Sequence, residues 1–198
     1  MKILIFGATR GVGRRMVEQA YALGHTVSAF VRNRAALEPY EDLEQVRGDV
    51  LDAAAVSRAV DGQEAVLCAL GGAKGVRVEG TRNIVAAMQQ QGVQRLIAVS
   101  SWGVGDSRRG IVANLAWLFL RQALEEHQAQ EEIIRHSGLD WTILRPTRLT
   151  DGPLTGKYRV GHISVGLSPQ ISRADVADFA LKQLADTTYL HQAPTISY

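Results

Sequence analysis

The stretch IFGATRGVGRR, residues 5–15, decides the fold, because three glycines fall within seven residues directly after an apolar run. Residues 2–6, KILIF, have the composition of a buried β-strand, and a helical pattern starts near residue 13. Gly7 permits a tight turn, Gly11 lets the backbone approach another group closely, and Gly13 lets the helix pack against the strand. The stretch therefore predicts a strand, a glycine loop and a helix in succession.

A glycine loop between a strand and a helix is suited to phosphate binding. The helix N-terminus offers free N–H groups and the positive end of its dipole to an anion. Thr9 stands at the second glycine position of G-x-G-x-x-G, so the loop reads G-x-x-x-G-x-G instead. A structural turn without a ligand is the alternative. Because the loop follows the first strand, we interpret it as a pyrophosphate site for a dinucleotide.

Apolar runs alternate with helical patterns along the rest of the chain. We predict strands at residues 2–6, 26–31, 43–47, 65–69, 95–100, 140–145 and, with a weaker pattern, 195–197. Helices are predicted at residues 13–23, 53–60, 78–91, 111–136 (with a break) and 174–184, and Gly24, Gly92 and Gly138 each follow a helix. The alternation predicts an α/β fold, a doubly wound parallel sheet in one Rossmann-type domain over residues 1–198. Residues 147–170 lack clear periodicity and are expected to form the substrate-side loop.

The residues after the second predicted strand indicate which dinucleotide is bound. An NAD site carries an acid there for the ribose 2′-hydroxyl, whereas this segment reads AFVRNR. Arg32 stands in place of the acid, Arg34 follows, and Arg10 in the loop reaches the same corner. Guanidinium groups match phosphate, so the pattern favours NADP over NAD. The alternative is that Arg32 and Arg34 are solvated loop charges.

Composition excludes several classes of partner. The 198 residues hold 22 Lys plus Arg and 20 Asp plus Glu, a net charge of +2, which predicts neither nucleic-acid nor membrane-surface binding. We expect no signal peptide before the first strand. Residues 111–120, IVANLAWLFL, are too short to span a bilayer as a helix and predict a buried helix or a subunit contact. Cys68 is the single cysteine, a buried strand thiol that forms no intrachain disulfide. The five histidines lack metal-ligand spacing, so we expect no metal. The single cysteine and the expected absence of a signal peptide predict a cytoplasmic protein. We also expect a monomer.

Several segments together resemble the atypical short-chain dehydrogenase/reductases, and among them the biliverdin-IX-beta reductase/flavin reductase group, with NmrA-like proteins as relatives. The resemblance runs from residue 1 to about residue 184. Its segments are IFGATRGVG, VRNR, GDVLDAAAV, GTRNIVAAMQQQGVQRLIAVSS, ILRPTRLTDGPLTG and ISRADVADF. The segment DGPLTG, residues 151–156, is more specific to the flavin reductase group than the glycine loop is.

The resemblance implies a role for each matching residue. Pyrophosphate contacts are implied for Gly7, Thr9, Arg10, Gly11, Val12 and Gly13, and a 2′-phosphate contact for Arg32. Adenine contacts are implied for Asp49 and Val50, ribose contacts for Leu70 and Gly71, and a place beside the nicotinamide for Pro146.

The usual proton donor of short-chain dehydrogenases is a Tyr with a Lys four residues later. None of the five tyrosines, Tyr21, Tyr40, Tyr158, Tyr189 and Tyr198, has this lysine. Ordinary carbonyl–alcohol chemistry is therefore not expected. A conjugated acceptor such as a flavin or a linear tetrapyrrole takes hydride without a strong enzyme acid, because water supplies the proton.

Side chains near the predicted strand ends are candidates for the chemistry. Ser100 and Ser101 end the fifth predicted strand, at the edge where doubly wound sheets bind ligands. Ser101 matches the serine that the flavin reductase group places beside nicotinamide and substrate, or it caps local backbone. Trp102 forms an aromatic wall for a planar substrate or packs into the core. Arg148 replaces the group's histidine and so cannot donate a proton; it attracts an acidic substrate or is a solvated charge. His162 is a further substrate-binding candidate.

Two functions follow from these residues. The first is an NADPH-dependent reductase of flavins or biliverdin-type tetrapyrroles, with Ser101 and Arg148 at the reacting end. The second is a non-catalytic NmrA-like NADP-binding redox sensor or assembly factor, for which the AWLFL run, residues 116–120, would contact a partner. A quinone or other carbonyl reductase is a third reading.

Overall fold

The computed structural model describes residues 1–33, 37, 43–108, 110–162 and 169–198, and of residues 110–116 it describes the backbone alone. The strands in these ranges are β1 (Lys2–Phe6), β2 (Thr26–Val31), β3 (Glu44–Arg47), β4 (Ala65–Cys68), β5 (Arg95–Val99), β6 (Asp140–Pro146), β7 (Arg148–Thr150), β8 (Arg159–Gly161), β9 (Gln170–Ser172) and β10 (Thr195–Ser197). The helices are α1 (Gly11–Ala22), α2 (Ala53–Val60), α3 (Val76–Gln91), α4 (Gly110–Arg135) and α5 (Arg173–Lys182).

Eight of the described strands form one sheet in the order β3-β2-β1-β4-β5-β6-β10-β8. All neighbouring pairs are parallel except β10 and β8. Strand β1 lies at the centre of the nucleotide-binding half, between β2 and β4, as in doubly wound folds. The predicted Rossmann-type parallel sheet is confirmed, and each strand predicted from the sequence is present within one residue at either end.

The sheet is covered on both faces, and β1 shows this directly. Ile3 and Ile5 join a core cluster with α1 and α5, whereas Leu4 and Phe6 join the cluster under α2 and α3. A strand buried on both faces reads as a continuous apolar run, which is why KILIF is so conspicuous. Cys68, at the end of β4, is buried as predicted.

Helix α4 has the break that the sequence suggested, at Leu120, where φ and ψ are −115° and 20°. Of the two alternatives predicted for residues 111–120, a buried helix is wrong for the last residues, and a subunit contact stays a prediction. Leu118, Phe119 and Leu120 are 71%, 81% and 57% exposed. Within the described part of the chain, no helix is both long and apolar enough to cross a membrane.

The substrate-side segment contains structure that local sequence patterns did not indicate. The strands β7 and β9 pair with each other in parallel, and β8 pairs with β10 at the edge of the main sheet. Helix α1 begins at Gly11, two residues before the prediction, because the glycine loop itself enters the first turn. Arg34 lies outside the described residues.

Candidate active site

A cleft of about 1030 Å³ opens along the carboxyl edge of the parallel strands, where doubly wound sheets bind their ligands. The predicted site residues line it, except two. Gly13 is buried beneath the glycine loop, and His162 lies elsewhere. The structure therefore brings together side chains from residues 7 to 148, and their individual roles stay predictions.

The glycine loop at one end of the cleft has no room for larger residues. Gly7 has a φ of +77°, and a Cβ there would lie 2.2 Å from the carbonyl oxygen of Ala69. A Cβ at Gly13 would lie 2.2 Å from the carbonyl oxygen of Gly7. The side chain of Arg10, the residue before α1, accepts no capping hydrogen bond from the first turn of the helix. The N–H groups of that turn, beside the cleft, are therefore not capped by this side chain. This cradle of backbone fits a pyrophosphate.

The end of the cleft beside β2, where the adenosine is predicted to bind, carries two arginines. Arg10 and Arg32 are both exposed and both line the cleft, Arg32 directly after β2. Asp49 and Val50 line the same end, and the carboxylate of Asp49 accepts a hydrogen bond of 3.0 Å from the backbone N–H of Leu51. A phosphorylated ribose beside Arg32 stays a prediction.

The middle of the cleft is built from the ends of β4 and β6. Leu70 is buried and Gly71 is exposed, and Pro146 closes β6 at the same edge. Gly80 of α3 allows close packing here, because a Cβ there would lie 2.9 Å from both Leu70 and Val50. The lining at this point is consequently rigid and mostly apolar.

The two serines after β5 face different surroundings. The Ser100 hydroxyl donates a hydrogen bond of 2.6 Å to the buried carboxylate of Glu131. The Ser101 hydroxyl donates to the carbonyl oxygen of Trp102 at 3.0 Å, the local backbone contact that was the alternative to a substrate contact. That bond leaves the Ser101 oxygen free to accept another, since a hydroxyl has two lone pairs.

Behind Ser100 lies a buried ion pair. Arg145 and Glu131 have side chains only 2% and 3% exposed, and their groups meet at 2.7 and 2.9 Å. Arg145 also bonds Asp106. Burial alone would lower the pKa of Arg145, but the bonds to Glu131 and Asp106 raise it overall, so the residue stays charged. This pair fixes the strand ends that carry Ser100 and Pro146.

The acceptor end of the cleft combines apolar surface with one arginine. Trp102 is half-buried and lines the cleft together with Leu120 and Leu124 of α4. Arg148 is exposed, and its Nη2 donates to the side-chain oxygen of Gln170 at 2.5 Å. Because Gln170 is neutral, this bond does not neutralise the charge of Arg148, and its role in binding an acidic substrate stays a prediction.

His162 was predicted to contact substrate, and the structure does not bring it into this cleft. Strand β8 pairs at the far edge of the sheet, and this places His162 beside Asp106, with 3.4 Å between Nδ1 and Oδ2. It lines a second, smaller cavity with Arg145 and His191. The prediction failed because it assumed that the whole of residues 147–170 covers the cleft.

Sequence reasoning missed three titratable residues of the cleft, Arg77, His127 and Arg173. Burial and the nearby charge of Arg77 lower the pKa of His127 to about 3, so its imidazole is neutral at physiological pH. The spacing of Leu120, Leu124 and His127 on one helical face was the available signal.

The segment DGPLTG is held by the first turn of α5. The Asp175 carboxylate accepts hydrogen bonds from the backbone N–H groups of Thr155 and Gly156, both at 2.8 Å, and from the hydroxyl of Tyr198 at 2.7 Å. Burial would raise the pKa of Asp175, but these bonds lower it. Ser172 caps the helix by accepting a hydrogen bond from the backbone N–H of Asp175 at 3.0 Å. Asp175 is therefore structural.

Metal chemistry has no candidate ligand set in the described ranges, since no three His, Cys, Asp or Glu side chains converge there.

Comparison with known proteins agrees with this geometry. A family model described as NAD(P)H-binding matches residues 7–187. The chain belongs to this NAD(P)H-binding family. An uncharacterized chloroplastic protein of Arabidopsis thaliana, At2g34460, is 32% identical over 200 residues, covering 92% of this chain and 71% of the plant protein.

Solved structures share the whole fold. ChuY, an anaerobilin reductase from Escherichia coli O157:H7, superposes with a TM-score of 0.86 at 29% identity, covering 99% of this chain and 96% of its own. A short-chain dehydrogenase/reductase from Veillonella parvula in complex with NADP has the same fold, with a TM-score of 0.82 at 20% identity and coverage of 100% and 94%. The predicted kinship with atypical short-chain dehydrogenase/reductases is confirmed, and the chain has an NAD(P)H-binding oxidoreductase fold.

Proposed function

We propose that the protein is an NADPH-dependent reductase that passes hydride to a flavin or a biliverdin-type linear tetrapyrrole. The observation that carries the proposal is the make-up of the acceptor end. Trp102, Leu120 and Leu124 provide a wide apolar surface, and Arg148 provides one positive charge beside it. A flat, apolar molecule with an acidic substituent fits such a surface.

The cleft also lacks a proton donor in its described acceptor end. His127 is neutral because its pKa is about 3, and guanidinium groups, the other cationic groups there, do not serve as proton donors. When bound, the reduced nicotinamide supplies hydride. The residues here orient two flat molecules and exclude solvent, which is catalysis by proximity, and the proton comes from water. Conjugated acceptors satisfy that requirement and ordinary ketones do not.

One similarity supports the acceptor class. The structural relative ChuY, 29% identical to this chain, is named an anaerobilin reductase.

The deciding experiment is NADPH oxidation by the purified protein with FMN, FAD, riboflavin and biliverdin isomers tested side by side. We expect turnover with at least one flavin or biliverdin, and purification without tightly bound flavin. If NADPH binds but no flavin, tetrapyrrole or quinone is reduced, the reductase proposal is wrong.

Variants of Ser101 and Arg148 separate their roles. Ser101→Ala should lower turnover and leave NADPH affinity nearly unchanged, because one orienting hydrogen bond is lost. Arg148→Ala should lower the affinity for FMN and biliverdin and leave the affinity for riboflavin unchanged, because riboflavin carries no acidic group. Arg58→Ala, an exposed arginine on α2 outside the cleft, is the matched control. Equal losses for charged and uncharged acceptors would contradict the electrostatic role of Arg148.

One observation favours the second candidate, an NADP-binding sensor or assembly factor. Leu118 and Phe119, at the kink of α4, expose large apolar side chains next to the cleft-lining Leu120. Such residues suit a protein partner better than water. A sensor would bind NADPH and NADP with different effects on its oligomeric state or partner affinity, and would show no acceptor turnover.

A further inference from the structure

Arg173, the first residue of α5, lies against the glycine loop from the acceptor side of the cleft. A Cβ on Gly11 would lie 3.8 Å from its Nε and 4.0 Å from its Cδ. The side chain is 27% exposed and lines the cleft. The guanidinium group is consequently placed next to the loop whose shape fits a pyrophosphate.

The backbone of Arg173 is held firmly. Ser172 caps α5, and its hydroxyl also donates to the carbonyl oxygen of Pro153 at 3.0 Å. The side chain of Gln19 on α1 donates to the carbonyl oxygen of Ala174 at 2.9 Å. Helix α5 therefore starts at a fixed distance from the helix that follows the glycine loop.

The side chain of Arg173 is oriented by Asp151, the first residue of DGPLTG. Its Nη1 donates to a carboxylate oxygen of Asp151 at 2.7 Å. Asp151 is 81% exposed, so water screens this pair strongly. A guanidinium has five N–H donors, and Nε and Nη2 are not used in this bond. Arg173 thus keeps both charge and donors for an anion at Gly11.

We infer that Arg173 binds the pyrophosphate of the dinucleotide, opposite the glycine loop, and that Asp151 is its positioning residue. The inference rests on the proposed place of the pyrophosphate at that loop and is independent of the acceptor. The segment DGPLTG would then be connected to the cofactor. Asp151, its first residue, bonds Arg173, while Thr155 and Gly156 bond Asp175. Cofactor binding therefore stabilises the segment on the acceptor side.

The test compares three ligands that differ in their phosphates: NADPH, NADH and 2′-AMP, which lacks the pyrophosphate. Arg173→Ala should lower the affinities for NADPH and NADH alike, by about tenfold or more, because a hydrogen bond to a charged group is lost. It should leave 2′-AMP unchanged. Arg32→Ala should give the opposite pattern, weakening NADPH and 2′-AMP and sparing NADH. Affinities are measured by fluorescence titration and by competition.

Two further variants address orientation and folding. Asp151→Asn should produce a smaller loss than Arg173→Ala for both dinucleotides, because the arginine remains. Arg173→Gln, which keeps a polar side chain, replaces Arg173→Ala if thermal melting shows that the alanine variant is unfolded.

The outcomes separate this inference from the proposed function. If wild-type protein binds none of the three ligands, the proposed cofactor site is wrong. If wild-type binds NADPH and Arg173 variants bind it equally well, or lose 2′-AMP to the same extent as NADPH, the role of Arg173 is overturned and the site stands.

Discussion

Glu131→Gln should destabilise the protein more than any neighbouring change on α4. The carboxylate of Glu131 is 3% exposed and accepts bonds from Arg145 at 2.7 and 2.9 Å and from the hydroxyl of Ser100 at 2.6 Å. Arg135 approaches it at 3.4 Å. Removing the charge leaves Arg145 buried with Asp106, which is 44% exposed, as its acidic partner.

The expected cost follows from that burial. Breaking a buried ion pair on one side costs about 3–5 kcal/mol, and the remaining contact with Asp106 places Glu131→Gln near 3 kcal/mol. For a domain of this size that corresponds to roughly 6–12 °C in Tm. The free energy of unfolding is measured by urea denaturation at pH 7.

A matched control lies one residue away. Glu132 is exposed and bonds only weakly to Gln128, at 3.2 Å, so Glu132→Gln should change stability by less than about 0.5 kcal/mol. A Glu131→Gln cost below about 1 kcal/mol, or one equal to that of Glu132→Gln, would refute the reasoning. The double variant Glu131→Gln/Arg145→Met should cost less than the sum of the single changes, because no unpaired charge is left.

Three further predictions concern the cleft. Arg32→Ala should lower the affinity for NADPH by roughly 10- to 150-fold in fluorescence titration and barely change the affinity for NADH. Arg15, whose side chain is 44% exposed, follows the loop in the chain, and Arg15→Ala is the control that should change neither affinity much. Gly13→Ala should abolish tight NADPH binding and lower the free energy of unfolding by about 1–3 kcal/mol, because the new Cβ would lie 2.2 Å from a backbone oxygen. Gly152→Ala is the control: the nearest atom to a Cβ there is 3.5 Å away, so thermal denaturation should be unchanged. His127 titrates near pH 3 when folded and near 6.5 when unfolded, so the unfolded state binds the extra proton between these values and stability rises with pH there. His127→Gln should remove up to about 1.4 kcal/mol per pH unit from that slope in urea melts at pH 5–6.5, and an unchanged slope would contradict the assignment.

The nucleotide half could be predicted from the sequence because its signals are local. A strand buried on both faces gives a continuous apolar run, and the glycines of the loop report steric limits that a Cβ would violate. Most cofactor-side candidates from Gly7 to Gly71 were implied by the family resemblance. Apart from Gly13, which lies beneath the loop, they line one cleft, and their roles stay predictions.

The acceptor half could not be predicted in the same way, because its contacts join distant segments. The strand β8 has three residues and pairs with β10 more than thirty residues later, so no periodicity marks it. His162 was misplaced for this reason. Arg173 was missed for a related reason: its place beside the glycine loop depends on how α5 packs on α1, which no local pattern shows.

The packing of α5 also changes what DGPLTG says about function. Asp151 bonds Arg173, and Thr155 and Gly156 bond Asp175. Three of the six residues of the segment therefore make hydrogen bonds to the first turn of α5. Similar packing would require similar residues whatever the acceptor is. The motif therefore reports the shape of this loop and its bond to Arg173. We expect the choice of acceptor to depend instead on side chains that the motif does not contain, Trp102 and Leu124 among them. Exchanging these should alter acceptor preference and leave cofactor affinity unchanged.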